Sequence, residues 1–209
     1  MRNYNIYFSP TGGTKRVADI LSENLFEDFT NIDLCKDIPS LSLSKDDVCI
    51  VSVPSYGGRV PAIAIERLKK INANGTKAVL NCVYGNREWE DTLTELQDTL
   101  ELLGIRCIAA VAAVAEHSIF RQFASGRPDA NDKIQLAEFC TLIQERLEAH
   151  DISELHLSGN HEKYKVYNGS PLKPKANEDC TGCGLCAKEC PVGAIDTNNP
   201  QTLDAEKCI

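Results

Sequence analysis

The stretch FSPTGGTKRVA, residues 8–18, decides the fold. It joins an apolar run at residues 4–8 to a segment in which Val17, Ile20 and Leu21 recur at helical spacing, so a strand ends in small and hydroxyl residues just before a helix. The first amide groups of a helix have no intrahelical partner, and the helix dipole adds partial positive charge there. Because the loop contains no acid, the sequence predicts an anion-binding site at the end of the first strand.

The loop itself contains the donors that such a site needs. Ser9, Thr11 and Thr14 carry hydroxyl groups, and Gly12 and Gly13 allow the backbone to approach a phosphate and to adopt positive φ. The loop matches neither G-x-x-x-x-G-K-[ST] nor G-x-G-x-x-G, which weighs against ATP and against dinucleotides as the ligand.

The first 150 residues alternate between short apolar runs and helical patterns, which is typical of a mainly parallel α/β sheet. The predicted strands are residues 4–8, 29–34, 48–53, 77–83 and 106–114. Four helices are predicted, one directly after the first loop and the others at residues 61–71, about 93–103 and 130–149. Gly104 is placed to end the third of them, and a turn at 41–45 is counted as the remnant of a fifth helix.

Two further loops extend the pattern: PSYGGR at residues 54–59 follows the third predicted strand, and YGN at residues 84–86 follows the fourth. Together with SPTGGT at residues 9–14, they make this part of the chain resemble the flavodoxins, which bind FMN. The resemblance implies a doubly wound, five-stranded parallel sheet of order 2-1-3-4-5, in which these loops meet at the carboxyl edge. It also implies that Tyr56 and Tyr84 stack on the isoalloxazine ring and that the Gly57 region contacts its N5 atom.

The predicted FMN-binding residues come from all three loops: Ser9, Thr11, Gly12, Gly13, Thr14, Pro54, Ser55, Tyr56, Gly57, Gly58, Tyr84, Gly85 and Asn86. A plainer interpretation stays open for the second and third loops, in which the tyrosines are half-buried packing residues and the Gly-Gly pair is only a turn. We expect His117 to have a structural role and Trp89 to pack at the start of a helix.

A second motif lies near the carboxyl end, where CTGCGLCAKECPVGAI, residues 180–195, has the spacing C-x2-C-x2-C-x3-C-P of bacterial ferredoxins. Small residues such as Gly182, Gly184 and Ala187 allow backbone amides to point at sulfur, and Pro191 turns the chain away. A structural zinc site is the alternative, but zinc prefers two separated pairs of ligands. The motif therefore predicts an iron–sulfur cluster.

In two-cluster ferredoxins the fourth cysteine of each run binds the other cluster. By that resemblance, three of the cysteines hold one [4Fe-4S] cluster, Cys190 belongs to a second, and Cys208 opens a second run. We expect the ferredoxin-like unit to be truncated relative to a longer parent, or else one cluster to take Cys190 or Cys208 as its fourth ligand. The predicted metal ligands are Cys180, Cys183, Cys186, Cys190 and Cys208. The other cysteines, Cys35, Cys49, Cys82, Cys107 and Cys140, are predicted to be small buried hydrophobes.

Composition limits the remaining possibilities. A chain of 209 residues with 43% hydrophobic and 25% charged residues suits a soluble globular protein, and a net charge of −8 weighs against nucleic acid as a partner. There is no signal-peptide pattern and no apolar run of membrane-spanning length, so we predict a cytoplasmic protein without membrane insertion. The predicted units are residues 1–150, a linker at 151–170 that wraps onto the first unit, and a cysteine-rich unit at 171–209.

The whole arrangement resembles a flavodoxin fused to a bacterial-type 2[4Fe-4S] ferredoxin, a family of electron-transfer proteins found mainly in anaerobes. The resemblance implies a relay of single electrons between a [4Fe-4S] cluster and FMN, with redox proteins as external partners. Two alternatives stay open: an FMN-dependent reductase of a small organic acceptor such as a quinone, and a binding module without redox chemistry that holds zinc in its tail.

Overall fold

A five-stranded parallel sheet forms the centre of the protein. A computed structural model describes residues 1–149 and 154–209. The strands of the main sheet are β1 (Asn3–Tyr7), β2 (Thr30–Asp33), β4 (Val48–Pro54), β6 (Thr76–Tyr84) and β7 (Ile105–Val114), while β3 (Leu41–Leu43) and β5 (Ile71–Ala73) pair separately. The main sheet has the order β2-β1-β4-β6-β7 and every pairing in it is parallel. Counted along the chain, this is the predicted order 2-1-3-4-5, and the predicted fold class is confirmed.

Helices cover both faces of the sheet. They are α1 (Gly13–Leu25), α2 (Ala62–Leu68), α3 (Thr92–Leu102), α4 (Ala130–Glu148) and, in the cysteine-rich segment, α5 (Leu185–Glu189). Helices α1 and α4 enclose one core with Ile50 and Val79, while α2 and α3 enclose the other with Val51 and Leu80. Since neighbouring residues of β4 and β6 face opposite cores, these strands are buried on both sides, which explains their nearly continuous apolar sequence.

The structure corrects two predictions in the region between β2 and β6. Residues 41–45 are not the remnant of a helix: Leu41 and Leu43 are the inward residues of β3, with exposed Ser42 between them. The helix predicted at 61–71 ends at Leu68, because Ile71 begins β5 and pairs with Leu41. A short two-stranded sheet thus takes the place of the turn predicted at 41–45 and of the last residues of the helix predicted at 61–71. Such short strands give little periodic signal.

A buried carboxylate closes the turn between β3 and β4. Asp47 accepts hydrogen bonds from the backbone amides of Arg2 at 2.8 Å and Ser44 at 2.9 Å, and it pairs with the Arg2 guanidinium at 3.2 Å. Burial alone would raise the pKa of Asp47, but these hydrogen bonds outweigh it and lower the pKa to about 2. The carboxylate therefore stays ionised and fastens the amino end of the chain beside β4.

Residues 154–170, here named the strap, lie along α3. The Leu155 carbonyl accepts from Gln97 Nε2 at 2.7 Å, and His161 Nδ1 lies 2.7 Å from Asp98 Oδ1, whose other oxygen accepts from the Tyr164 hydroxyl. Residues 150–153, where the predicted linker begins, lie outside the described residues, and the predicted domain boundaries stay a prediction. In the described part of the chain, no helix combines the length and apolarity that crossing a membrane requires.

Candidate functional site

The loop between β1 and α1 has the open geometry of an anion site. Gly12 precedes α1 with φ of +83°, and a Cβ placed there would meet nothing within 4 Å. The backbone turns back on itself through a bond from the Gly12 amide to the Ser9 carbonyl at 3.3 Å. No acidic residue occurs in the first turn of α1, as the sequence predicted. Space for a ligand is therefore present directly at the start of the helix.

Several donors of this loop are free to bind an anion. Among the described residues, no hydrogen bond uses the amides of Thr11, Gly13 or Thr14. The Ser9 hydroxyl accepts the Lys15 amide at 2.9 Å and keeps its own proton for donation. Three amides beside an open glycine fit the phosphate of a mononucleotide such as FMN.

The second and third loops lie at the same edge of the sheet. Strands β1, β4 and β6 are neighbours and parallel, so the loops that follow them meet at their carboxyl ends. The second loop is a tight turn in which the Tyr56 amide donates to the Arg59 carbonyl at 3.0 Å and the Arg59 amide donates back at 3.2 Å. The third loop joins it through the Asp91 amide, which donates to the Gly58 carbonyl at 3.0 Å. The structure therefore brings all three predicted loops to one edge.

Glycines of the second and third loops are covered by neighbouring side chains, unlike Gly12. A Cβ at Gly57 would lie 2.9 Å from Tyr167 Cγ, and one at Gly58 would lie 2.7 Å from Glu90 Cβ. Gly57 and Gly58 also have φ of +60° and +88°, which favour glycine on their own. The plainer interpretation, a turn that needs glycine for packing, is thus sufficient for this pair, and contact with a flavin stays a prediction.

Gly85 is likewise covered by a neighbouring side chain, that of His117. A Cβ at Gly85 would lie 2.9 Å from His117 Cγ. The His117 Nδ1 atom accepts the amides of Ile119 and Phe120, each at 3.1 Å, so it has the structural role that was expected. Asn86 adopts φ of +67° beside them. The third loop is therefore a packed turn with a histidine over its glycine.

The two predicted stacking tyrosines have different surroundings. Burial raises the pKa of Tyr56 to about 12, with smaller contributions from Cys35, Tyr167 and Cys208. Tyr84 instead packs edge-on against Trp89, with ring centroids 5.2 Å apart and planes 65° apart. The Trp89 side chain is partly buried against the core, as expected. Stacking of either tyrosine on a flavin stays a prediction.

The strand-end residues of the second loop are fixed by hydrogen bonds. Pro54 is the last residue of β4, and the Ser55 amide donates to the Val83 carbonyl at 2.9 Å. The Ser55 hydroxyl accepts from Thr92 Oγ1 at 2.9 Å. These bonds tie the loop to β6 and to the first turn of α3.

Cys35 was predicted to be only a small buried hydrophobe, but it contacts the first loop of the candidate site. It is half-buried, and its Sγ accepts the Ser9 amide at 3.2 Å, so it supports the first loop from the end of β2. Burial raises the pKa of the Cys35 thiol to about 12, which keeps it protonated at neutral pH. The only signal in the sequence was its place one residue beyond a predicted strand that neighbours β1.

Arg59 and Glu95 form a second group that the sequence did not reveal. The Arg59 guanidinium donates to both oxygens of Glu95, at 2.8 and 2.6 Å, and to the Lys165 carbonyl of the strap at 2.6 Å. Glu95 also accepts the Val60 amide at 2.8 Å, and the Arg59 guanidinium lies 5.0 Å from the Tyr164 ring centroid. The second loop is thus held between α3 and the strap.

The cysteine segment, residues 171–209, contains the donors of an iron–sulfur site. Gly182 and Gly184 adopt φ of +69° and +73°, and α5 begins directly after Gly184. Cys183 is exposed, and its pKa is lowered mainly by the Leu185 amide. Cys190 Sγ accepts the Ala194 amide at 3.3 Å. In the part of the chain that the structure describes, no three metal-binding side chains are grouped closely enough to hold an ion. The assignment rests on the thiols, their spacing and these amide donors, which fit a cluster.

Comparison with known proteins supports both halves of this description. Residues 175–196 match the family model of the 4Fe-4S binding domain. No curated protein matches the chain. Oxidised flavodoxin 1 from Bacillus cereus superposes with a TM-score of 0.53 at 15% identity, covering 71% of this chain and 100% of its own. Oxidised flavodoxin 2 of the same organism gives 0.51 at 14% identity, with 69% and 99% covered.

A larger protein shares the same fold. Rubredoxin oxygen:oxidoreductase from Desulfovibrio gigas gives a TM-score of 0.50 at 15% identity, covering 70% of this chain and 36% of its own. Identities this low establish the fold alone. The chain therefore combines a flavodoxin-like fold over about 70% of its length with a 4Fe-4S binding segment near its carboxyl end.

Proposed function

We propose that this protein is an electron-transfer protein that relays single electrons between a [4Fe-4S] cluster and FMN. The observation that carries the proposal is the presence, in one chain, of an open loop and of a segment matching the 4Fe-4S binding domain. Among the described residues, no hydrogen bond uses the amides of Thr11, Gly13 and Thr14 in that loop. The loop is suited to the phosphate of a mononucleotide such as FMN, and the matching segment is suited to an iron–sulfur cluster. Together they provide two electron-transfer sites in one molecule.

The residues divide between the two cofactors as follows. The free amides of the first loop and the Ser9 hydroxyl bind the FMN phosphate, and the Tyr56 and Tyr84 loops flank the ring. Cys180, Cys183 and Cys186 hold a cluster, with Cys190 or Cys208 as further ligands. Bound FMN supplies one- and two-electron chemistry, and a cluster supplies one-electron chemistry. The protein contributes position and hydrogen bonds, which set the potentials.

External redox proteins complete the relay as donor and acceptor. The net charge of −8 favours partners with a positive docking face. Electrostatic attraction of that kind increases association rates and weakens as salt is added.

A second candidate function has an observation in its favour. Ile119, Phe120 and Phe123 expose their apolar side chains on the loop after β7, which also carries His117 beside Gly85. An apolar surface near the predicted ring site suits a flat organic acceptor such as a quinone. The protein would then be an FMN-dependent reductase with the cysteine segment as its electron input.

An absorption spectrum of anaerobically purified protein tests the main proposal. Flavin bands together with broad iron–sulfur absorbance that dithionite bleaches are the expected result, with FMN, iron and sulfide measured in the same sample. A colourless protein that contains zinc would contradict it. Steady-state turnover with a quinone, reduced substantially by Phe120→Ser, would favour the reductase over the relay.

A further inference from the structure

Arg67, near the carboxyl end of α2, joins the two halves of the molecule. Its Nη1 donates to the carbonyl of Leu34, and its Nη2 donates to the carbonyl of Pro191 at 2.5 Å. Leu34 follows β2 in the flavodoxin-like part, and Pro191 belongs to the cysteine segment. One guanidinium therefore bridges two backbone carbonyls that are far apart in the sequence.

Both carbonyls lie next to the predicted cofactor sites. Leu34 directly precedes Cys35, whose Sγ accepts the Ser9 amide at 3.2 Å. Ser9 belongs to the first loop, residues 9–14, here called the phosphate loop because it is the proposed site of the FMN phosphate. Pro191 directly follows Cys190, a predicted cluster ligand. A continuous covalent and hydrogen-bonded connection between the phosphate loop and the cysteine segment thus includes the Arg67 side chain.

A second contact supports the same docking. Ile209 packs against the core cluster that contains Leu34 and Leu68, on the face of the sheet that α2 covers. Its neighbour Cys208 accepts a hydrogen bond from Lys173 Nζ through its carbonyl. Arg67 and Ile209 therefore both join the cysteine segment to the flavodoxin-like part on the side of α2.

We propose that Arg67 is a positioning residue that docks the cysteine segment beside the phosphate loop, so that the two cofactor sites exchange electrons within one chain. This inference rests on the proposed function for its electron-transfer part alone. A guanidinium presents five donors in a rigid planar fork, and so it can reach two carbonyls at once, whereas a lysine ammonium is a compact charge on a flexible stem. Loss of the fork, rather than loss of the charge, should release the segment.

Hydrogen–deuterium exchange tests the docking without reference to any cofactor. The variants are Arg67→Ala, which removes the fork, and Arg67→Lys, which keeps the charge, with Lys69→Ala on the same exposed helix end as the matched control. We expect amides of residues 185–194 to exchange at least tenfold faster in both Arg67 variants. Lys69→Ala should exchange like the unaltered protein. Unchanged exchange in Arg67→Ala would overturn the proposal.

A kinetic measurement tests the electron-transfer part. Dithionite supplies electrons to the cluster, and each electron that the cluster loses is gained by the flavin. The rate of this transfer is measured by flavin absorbance over a series of protein dilutions. The unaltered protein and Lys69→Ala should give a rate independent of protein concentration, and Arg67→Ala a rate at least tenfold lower at equal FMN and iron content. Faster exchange in Arg67→Ala with an unchanged rate would overturn this part and leave the docking supported. Protein that retains no FMN or iron would refute the proposed function, and exchange alone would then decide the docking.

Discussion

Replacement of Gly12 by aspartate should weaken FMN binding strongly while leaving the fold intact. A Cβ at position 12 meets nothing within 4 Å, so the new side chain finds space in the free protein. The backbone there has φ of +83°, a conformation that Asp and Asn tolerate better than other side chains, and we expect a loss of about 1 kcal/mol in unfolding free energy. The damage should therefore fall on the ligand rather than on the protein.

The size of the effect on binding follows from the charge. An aspartate carboxylate about 5 Å from one unit of phosphate charge, in a surface site with an effective dielectric constant of about 20, costs about 3 kcal/mol. Such a cost weakens affinity by more than about 100-fold. Gly12→Asn is the matched control, since its side chain has nearly the same shape and carries no charge.

Fluorescence titration of the apoprotein with FMN measures the dissociation constants, and urea unfolding measures stability. We expect Gly12→Asn to weaken binding by the steric contribution alone and Gly12→Asp to weaken it about 100-fold further, with both variants equally stable. Equal affinities for the two variants would refute electrostatic repulsion at this loop. If both variants bound FMN as tightly as the unaltered protein, the assignment of the loop to FMN binding would be refuted.

Three further outcomes are expected. Cys183→Ser should lose most of its iron, whereas Cys82→Ser, which alters a cysteine buried in the core, should keep its iron per folded molecule. Asp47→Asn should lower the unfolding free energy by about 2 kcal/mol at neutral pH, because the carboxylate has its pKa lowered from 3.8 to about 2. The unaltered protein loses that contribution as the pH falls from about 4 to about 2. If the unfolding free energy of Asp47→Asn fell equally over this pH range, the stabilising role of the carboxylate would be contradicted. The hydrogen bond from the His161 imidazole to the Asp98 carboxylate raises the pKa of His161, so this strap contact is complete below the unfolded pKa of about 6.5 and weakens as the pH rises through the raised value. Proteolysis of the strap should accelerate over that rise, and His161→Gln should abolish the dependence.

The main sheet could be predicted because its pattern is local. Ile50, Val51, Val79 and Leu80 are buried on alternate faces, and continuous apolar runs of this kind identify inner strands of a parallel sheet. The end of α3 could be predicted in the same way, because Gly104 follows the helix and adopts φ of +77°. Such features depend on residues within a few positions of each other.

Contacts that depend on distant segments could not be predicted. Tyr167 covers Gly57 from 110 positions away in the sequence, and Arg67 reaches Pro191 across 124. Periodicity carries no information about such pairs, because either side chain would be equally acceptable on a solvated surface. The strands β3 and β5 were missed for a related reason, since each has three residues and owes its pairing to the other.

Glycine shows most clearly why local sequence is ambiguous at the carboxyl edge. The motifs TGG and YGG look alike, yet Gly12 faces open space while Gly57 and Gly58 lie against Tyr167 and Glu90. A glycine that a neighbouring side chain covers is explained by packing. Gly12 also has a positive φ, which favours glycine on its own, but no side chain fills the space beside it and, among the described residues, no hydrogen bond uses the amides of Thr11, Gly13 or Thr14. The open space and the free amides of the first loop are therefore the features that packing among the described residues does not explain. That difference places the decisive test of FMN binding at Gly12 rather than at either of the later loops.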